Sequence, residues 1–346
     1  MKTKFRRRRL LLATVALLAI GALAFANRSM IRSAYDSFTG ADFTGPGHGS
    51  VTLQINSGDD GAIVSQELVD LGVVKSYRTV YKLVIARNTV FYPGSYRLKL
   101  AMSSPAALDA LADAGNRISN RVTIKEGLRL GQVLAELSKA TGISVESFKT
   151  QAADLASIGV PGSEISAEGW LFPATYEFDP GTSAKQVLEQ MVARTKVELT
   201  KFSVAPKDQH RVLTLAALIQ KEARQEPDFY KVSRVFLNRI ANGMHLQSDA
   251  TVSYGVNGST VSTSAADRAN ANGYNTYLNA GLPIGPIGAP GAVAIDAALH
   301  PADGKWLYFC AINLKTGETV FSNTYAEHQA AVRQWQAWMR ENPGYD

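Results

Sequence analysis

The sequence is poor in cysteine. Cys310 is the single one in 346 residues, so no disulfide forms within the chain and the fold rests on packing. One thiol is too few for a cysteine-built zinc site, and the five histidines (His48, His210, His245, His300, His328) lack ligand spacing. No metal and no other cofactor are expected. Disulfide-free chains occur on either side of a bacterial membrane. An excess of one charge is also missing. The net charge is +6, but Lys2, Lys4, Arg6, Arg7, Arg8 and Arg9 supply six positive charges alone. The remaining thirty basic residues balance thirty acidic ones, which removes the electrostatic argument for a nucleic-acid partner.

Long apolar runs are scarce too, with one exception. Residues 10–26 (LLLATVALLAIGALAFA) carry no charge and follow the basic segment 1–9. Basic before apolar keeps the N-terminus cytoplasmic and exports the rest. Read from residues alone, 10–27 is either a short membrane-spanning helix or a signal peptide cleaved near Ala24-Phe25-Ala26. Both place the remainder outside the cytoplasm.

Residues 28–50 read as a linker, rich in Gly, Ser, Thr and Pro from 39 onward. Residues 51–56 alternate like a strand, and Ala62 to Leu71 reads as a helix closing at Gly72. A second strand–turn–helix unit runs from Val122 through Glu126-Gly127 to a helix ending near Gly142. INSG (55–58) echoes IKEG (124–127), and LGVV (71–74) echoes TGIS (141–144), a weak internal repeat. The second copy resembles a LysM module, a small βααβ fold that grips N-acetyl sugars. The expected class is α+β: one N-terminal transmembrane helix, a LysM-like βααβ region over 51–150, and a mixed catalytic domain over 151–346. In the latter, Glu168-Gly169-Trp170-Leu171-Phe172-Pro173 reads as a packed connector.

The richest stretch begins at His210. Leu215, Leu218 and Ile219 share one helical stripe, and Glu222 falls on it. A carboxyl on an apolar stripe is costly to ionise, so it holds its proton and suits a general acid. Two bland alternatives stay open: Glu222 marks where the helix leaves the core, or pairs with Arg234 or Arg239. Glu226, one turn on, is the rival acid, beside Pro227 where the helix is expected to end. Downstream loops bring together Gln, Asp, Asn, Thr and Tyr, groups that bind sugar hydroxyls and N-acetyl groups.

Many short blocks in order carry a resemblance over nearly the whole chain: PGSYRL (93–98), EGWLFPATYEF (168–178), LAALIQKEA (215–223), KVSRVFLNRI (231–240), MHLQSDATVSYG (244–255), YNTY (274–277), GLPIGPIGAPG (281–291), ALHP (298–301) and FSNTYAEH (321–328). Together they resemble the YceG-like (MltG) family of endolytic murein transglycosylases. The family's catalytic glutamate is the second acid of an E-K-E segment, here Gln220-Lys221-Glu222. Ala174 and Ile284 stand where Asp and Pro are usual.

The resemblance implies that Glu222 protonates the oxygen between N-acetylmuramic acid and N-acetylglucosamine. The muramyl C6 hydroxyl then attacks the anomeric carbon, leaving a 1,6-anhydro end. It implies cleft residues Gln247, Asp249, Thr251, Tyr254, Asn275, Thr276 and Tyr277. It also implies a retained anchor in the bacterial cytoplasmic membrane, nascent peptidoglycan strands as substrate and peptidoglycan synthases as neighbours. Rival functions are a hydrolytic muramidase, a non-enzymatic wall-binding protein, and an exported protein whose Glu222 is structural.

Overall fold

A computed structural model describes residues 41–258 and 263–344. The apolar segment 10–27 lies outside the described residues. Among those described, no helix is long and apolar enough to cross a membrane. The chain divides into two compact units, the first ending at Ser119 and the second starting at Asn120.

The first unit has the antiparallel sheet order β1 (Pro46–Ile55), β2 (Gly94–Met102), β3 (Arg117–Ile118). Helices α1 (Gly61–Asp70) and α2 (Tyr77–Ala86) lie between β1 and β2 in sequence, and α3 (Ser104–Ala112) follows β2. Side-chain caps start the first two. Asp60 accepts from the N–H groups of Ala62 and Ile63, and Ser76 accepts from that of Thr79. Alternating Leu53, Ile55, Tyr96 and Leu98 meet Val64, Leu68, Val80 and Val84 in one core. Residues 46–50, expected in the linker, are strand. Gly47 and Gly49 adopt positive φ there, beside an irregularity in register, so their turn-like chemistry belongs to a distorted strand end.

In the second unit β4 (Asn120–Thr123) pairs antiparallel with β5 (Thr175–Phe178). Helices α4 (Leu130–Thr141) and α5 (Val145–Ala153) fall between them in sequence. Both copies of the repeat therefore run strand, helix, helix, returning strand, and each first helix is followed by a left-handed glycine, Gly72 or Gly142. The sequence put a domain boundary after residue 150. In the structure Val122, Ile124, Val133, Leu134, Leu137 and Phe148 share a core with the helices that follow. The turn of this copy is tied down as well: Gly127 N–H donates to the Ala289 carbonyl (2.7 Å), and Ala289 N–H donates to that of Leu128 (2.8 Å).

The rest is mostly helical: α6 (Ala184–Lys201), α7 (Gln209–Glu222), α8 (Glu226–Ala241), α9 (Asp249–Gly255), α10 (Ala265–Arg268), α11 (Ala292–Leu299), the hairpin β6 (Tyr308–Asn313) and β7 (Glu318–Ser322), and α12 (Tyr325–Glu341). Helix α7 is the centre. Every residue from Val212 to Ile219 is buried, the mark of a helix wrapped on all sides. Trp170, fully buried, with Leu171 and Phe172 fills the same core, so the 168–173 segment is a packed connector. Pro227 opens α8 and does not close α7. Glu226 accordingly sits exposed in the first turn of α8, off the α7 stripe.

Candidate active site

Glu222 is the last residue of α7, where the apolar helix runs out. Its side chain is partly open, at the floor of a cavity of about 340 Å3 lined by Phe236, Arg239, Leu246, Gln247, Ser248, Asp249, Tyr277, Phe309 and His328. Ser248 Oγ donates to Glu222 Oε1 at 2.5 Å. Burial pushes the Glu222 pKa up. The Ser248 hydrogen bond opposes that, the nearby Asp249 charge adds to it, and the Arg239 cation opposes it.

Ser248 is held from below. Its N–H donates to Thr276 Oγ1 (3.1 Å), Thr251 Oγ1 donates to its carbonyl (2.7 Å), and the two threonine hydroxyls lie 2.8 Å apart. Both threonines are fully buried. Gln247 is exposed at the rim in a left-handed conformation (φ 51°), its N–H bonded to the Thr276 carbonyl (3.1 Å). A non-glycine residue held so costs roughly 1–2 kcal/mol. Asp249 accepts from Tyr277 Oη (3.0 Å) and Thr263 Oγ1 (2.5 Å). Burial, followed by the Asp249 charge, pushes the Tyr277 phenol up to about 12.

Arg239 forms the opposite wall. It donates to the carbonyls of Leu307 (2.6 Å) and Leu246 (2.7 Å) and lies 5.1 Å over the Tyr308 ring. His328 stacks on that same ring, centroids 5.2 Å apart. Burial and the Arg239 charge push its pKa down, favouring neutral imidazole. The arrangement presents one carboxyl whose pKa burial raises, a second on Asp249, one guanidinium and several neutral donors around a single cavity. That is the equipment for protonating a leaving oxygen and steadying a polyhydroxylated substrate.

Of the residues expected from sequence, the structure brings Glu222, Gln247, Asp249 and Tyr277 together at the cavity. Thr251 and Thr276 lie beneath it. Asn275 is fully buried and donates to the carbonyls of Arg268 (3.0 Å) and Asn270 (2.7 Å), while its Oδ1 accepts from Tyr277 N–H (3.0 Å), so it positions that tyrosine. Tyr254 is not among the lining residues. Its hydroxyl donates to Glu168 Oε2 (2.9 Å), and its ring lies against Tyr274. Among the described residues no cluster of three or more metal-ligating side chains exists.

A family model described as the YceG-like family matches residues 53–334. The chain belongs to that family. An endolytic murein transglycosylase of Bacillus subtilis (strain 168) is 31% identical over 310 residues, covering 83% of this chain and 85% of the relative. One of Streptococcus pneumoniae (serotype 2, strain D39) is 27% identical over 302 residues, and the chain spans 54% of its length. The crystal structure of a yceG-like protein from Listeria monocytogenes superposes with a TM-score of 0.54 at 30% identity, covering 82% of this chain and 99% of that one.

Within this YceG-like chain Ser248, Phe236, Phe309 and His328 line the cavity without having been expected from sequence, and Arg239, expected only as a rival partner for the acid, lines it too. Arg239 carried a signal, since it stands three and four residues after Phe236 and Val235, on the buried stripe of α8. Ser248 carried none beyond its block. Glu168 was also missed: it is buried, it accepts from Leu130 N–H (2.9 and 3.0 Å) at the start of α4, and burial pushes its pKa up.

Replacing Ser248 by Ala removes the hydrogen bond that lowers the Glu222 pKa. If Glu222 is the acid, its proton is then held to higher pH, and the alkaline limb of kcat/KM is expected to move upward. A pH profile with the limb unmoved or shifted downward contradicts the contact's role.

Proposed function

We propose that this chain is an endolytic murein transglycosylase, anchored in the bacterial cytoplasmic membrane by residues 10–27 with the rest outside. The carrying observation is a carboxyl lining a cavity, with burial raising its pKa above the ordinary carboxylate value. The names of its relatives supply the substrate class.

In this reading Glu222 gives its proton to the oxygen joining N-acetylmuramic acid to N-acetylglucosamine, and the bond to the muramyl anomeric carbon breaks. The muramyl C6 hydroxyl adds to that carbon, and its proton returns to Glu222. One carboxyl serves both steps because the nucleophile belongs to the substrate, unlike the paired scheme of ordinary glycosidases. Gln247, Asp249 and Tyr277 bind the sugars, with Arg239 beside them. The βααβ units act as LysM-like holders of the strand, and cleavage of nascent strands ends their growth beside peptidoglycan synthases.

A hydrolytic muramidase is the second reading, favoured by the presence of a second carboxylate, Asp249, in the same cavity. Full-length protein in detergent, incubated with glycan strands, separates the two by mass spectrometry of product ends. Anhydro ends are expected. Reducing ends assign hydrolysis, and uncut strands refute both.

A further inference from the structure

Charge in the first unit is sorted by helix. The turn before α1 and α1 itself carry Asp59, Asp60, Glu67 and Asp70 and no base, whereas α2 carries Arg78 and Lys82 and no acid. Val80 and Val84 turn α2 toward the core. On the opposite face Arg78, Lys82 and Ile85 recur at helical spacing, all exposed, with Tyr81 beside them stacked on Tyr77. Ile85 is 64% exposed, and the segment after the helix adds Val90 (66%) and Tyr92 (68%). Arg87, just past the helix, pairs with Asp109 of α3 (2.6 Å). Beside α2 runs an open groove of about 660 Å3 with Arg78 and Lys82 on its lining. The acid in it, Asp42, is taken up by the N–H (2.9 Å) and hydroxyl (3.1 Å) of Ser104.

Cations, tyrosines and aliphatic side chains on one helical face are the composition of an interfacial helix. The position of the chain selects the occupant. Ala41 lies against this same helix, its carbonyl accepting from Thr79 Oγ1 (3.5 Å). Only residues 28–40 separate it from the segment read as the anchor, a span of at most about 45 Å fully extended. The tether thus holds α2 within reach of lipid headgroups, where effective concentration is high. We propose that the outer face of α2, together with the exposed Val90 and Tyr92 that follow it in sequence, rests on an anionic phospholipid bilayer surface, Arg78 and Lys82 meeting the phosphates. This rests on residues 10–27 being a membrane anchor.

The test uses the full chain with Cys310→Ser and one new cysteine, Ile85→Cys or Tyr92→Cys, carrying an environment-sensitive fluorophore. Val197→Cys, 56% exposed in the second unit, is the control. The protein is reconstituted into vesicles of phosphatidylcholine alone, or mixed with equal phosphatidylglycerol, containing a lipid-borne shallow quencher. Flotation reports the anchor independently of fluorescence. Expected are floating protein, a blue shift and quenching at positions 85 and 92 in anionic vesicles but not at 197, and loss of that quenching when Arg78→Glu and Lys82→Glu are added. Protein that floats with 85 and 92 quenched no more than 197 overturns the proposal and leaves the anchor standing. Protein that does not float overturns both. Quenching that appears only after another protein is added assigns the face to a protein partner and also overturns the proposal.

Discussion

Glu222→Gln is expected to lower kcat/KM on glycan strands by about 10²–10⁴-fold and to leave the fold at neutral pH as stable as before, or more so. The two halves follow from one fact. Burial makes the folded chain hold the Glu222 proton more tightly than the unfolded chain does. Where the unfolded chain has already lost that proton, folding must either take it up again or bury a charge. This carboxyl's contribution is therefore most favourable below the ordinary value of 4.5 and is lost as pH rises toward the raised folded value. Glutamine keeps the shape and an acceptor for Ser248 but never ionises. The stability difference between variant and parent should thus move in the variant's favour as pH rises through that window. Thermal melts at several pH values beside single-turnover cleavage measure both. An active variant, or one whose melting point falls together with its activity, returns Glu222 to a structural role.

Arg239→Met is expected to cost about 3 kcal/mol or more in unfolding free energy, because charge-assisted hydrogen bonds carry roughly 1.5–3 kcal/mol each and their buried partners are left unmet. Those partners are the carbonyls of Leu246 and Leu307. They tie the segment bearing Ser248 and the start of the β6–β7 hairpin to α8. Loss of the guanidinium also removes a cation that lowers the Glu222 pKa, so the alkaline limb of the activity profile rises. Lysine does not restore the site, since a single ammonium cannot reproduce a fork aimed at two carbonyls. Denaturant midpoints for the Met and Lys variants check this, and a Lys variant as stable as the parent would falsify the fork argument.

Glu222 stood out because α7 is apolar up to Ile219 and a carboxyl breaks that pattern visibly; the structure puts it at the end of the helix, lining a cavity. Both strand–helix copies were legible from Gly72 and Gly142, whose left-handed conformation ends a helix in each. The cavity walls were less so. Thr251, Asn275 and Thr276 look like sugar ligands in a list of polar residues, yet their hydrogen bonds are spent on Ser248, Tyr277 and neighbouring backbone. A sequence does not say whether an amide faces a ligand or a carbonyl. Tyr254 was drawn away by Glu168, an acid some 86 residues upstream that local pattern does not connect to it. His328 and Phe309 reach the cavity from the last helix and hairpin, through tertiary packing that no window of sequence contains.

The Gly127–Ala289 clamp decides where this protein can be cut and rejoined. A graft that exchanges the first βααβ copy at the Ser119–Asn120 junction carries every residue of the 122–148 stretch along with α7. A splice at residue 150 would strip Val133, Leu137 and Phe148 from beneath the same apolar mass, and leave the Ala289 amide and carbonyl with no partner on the far side of the seam.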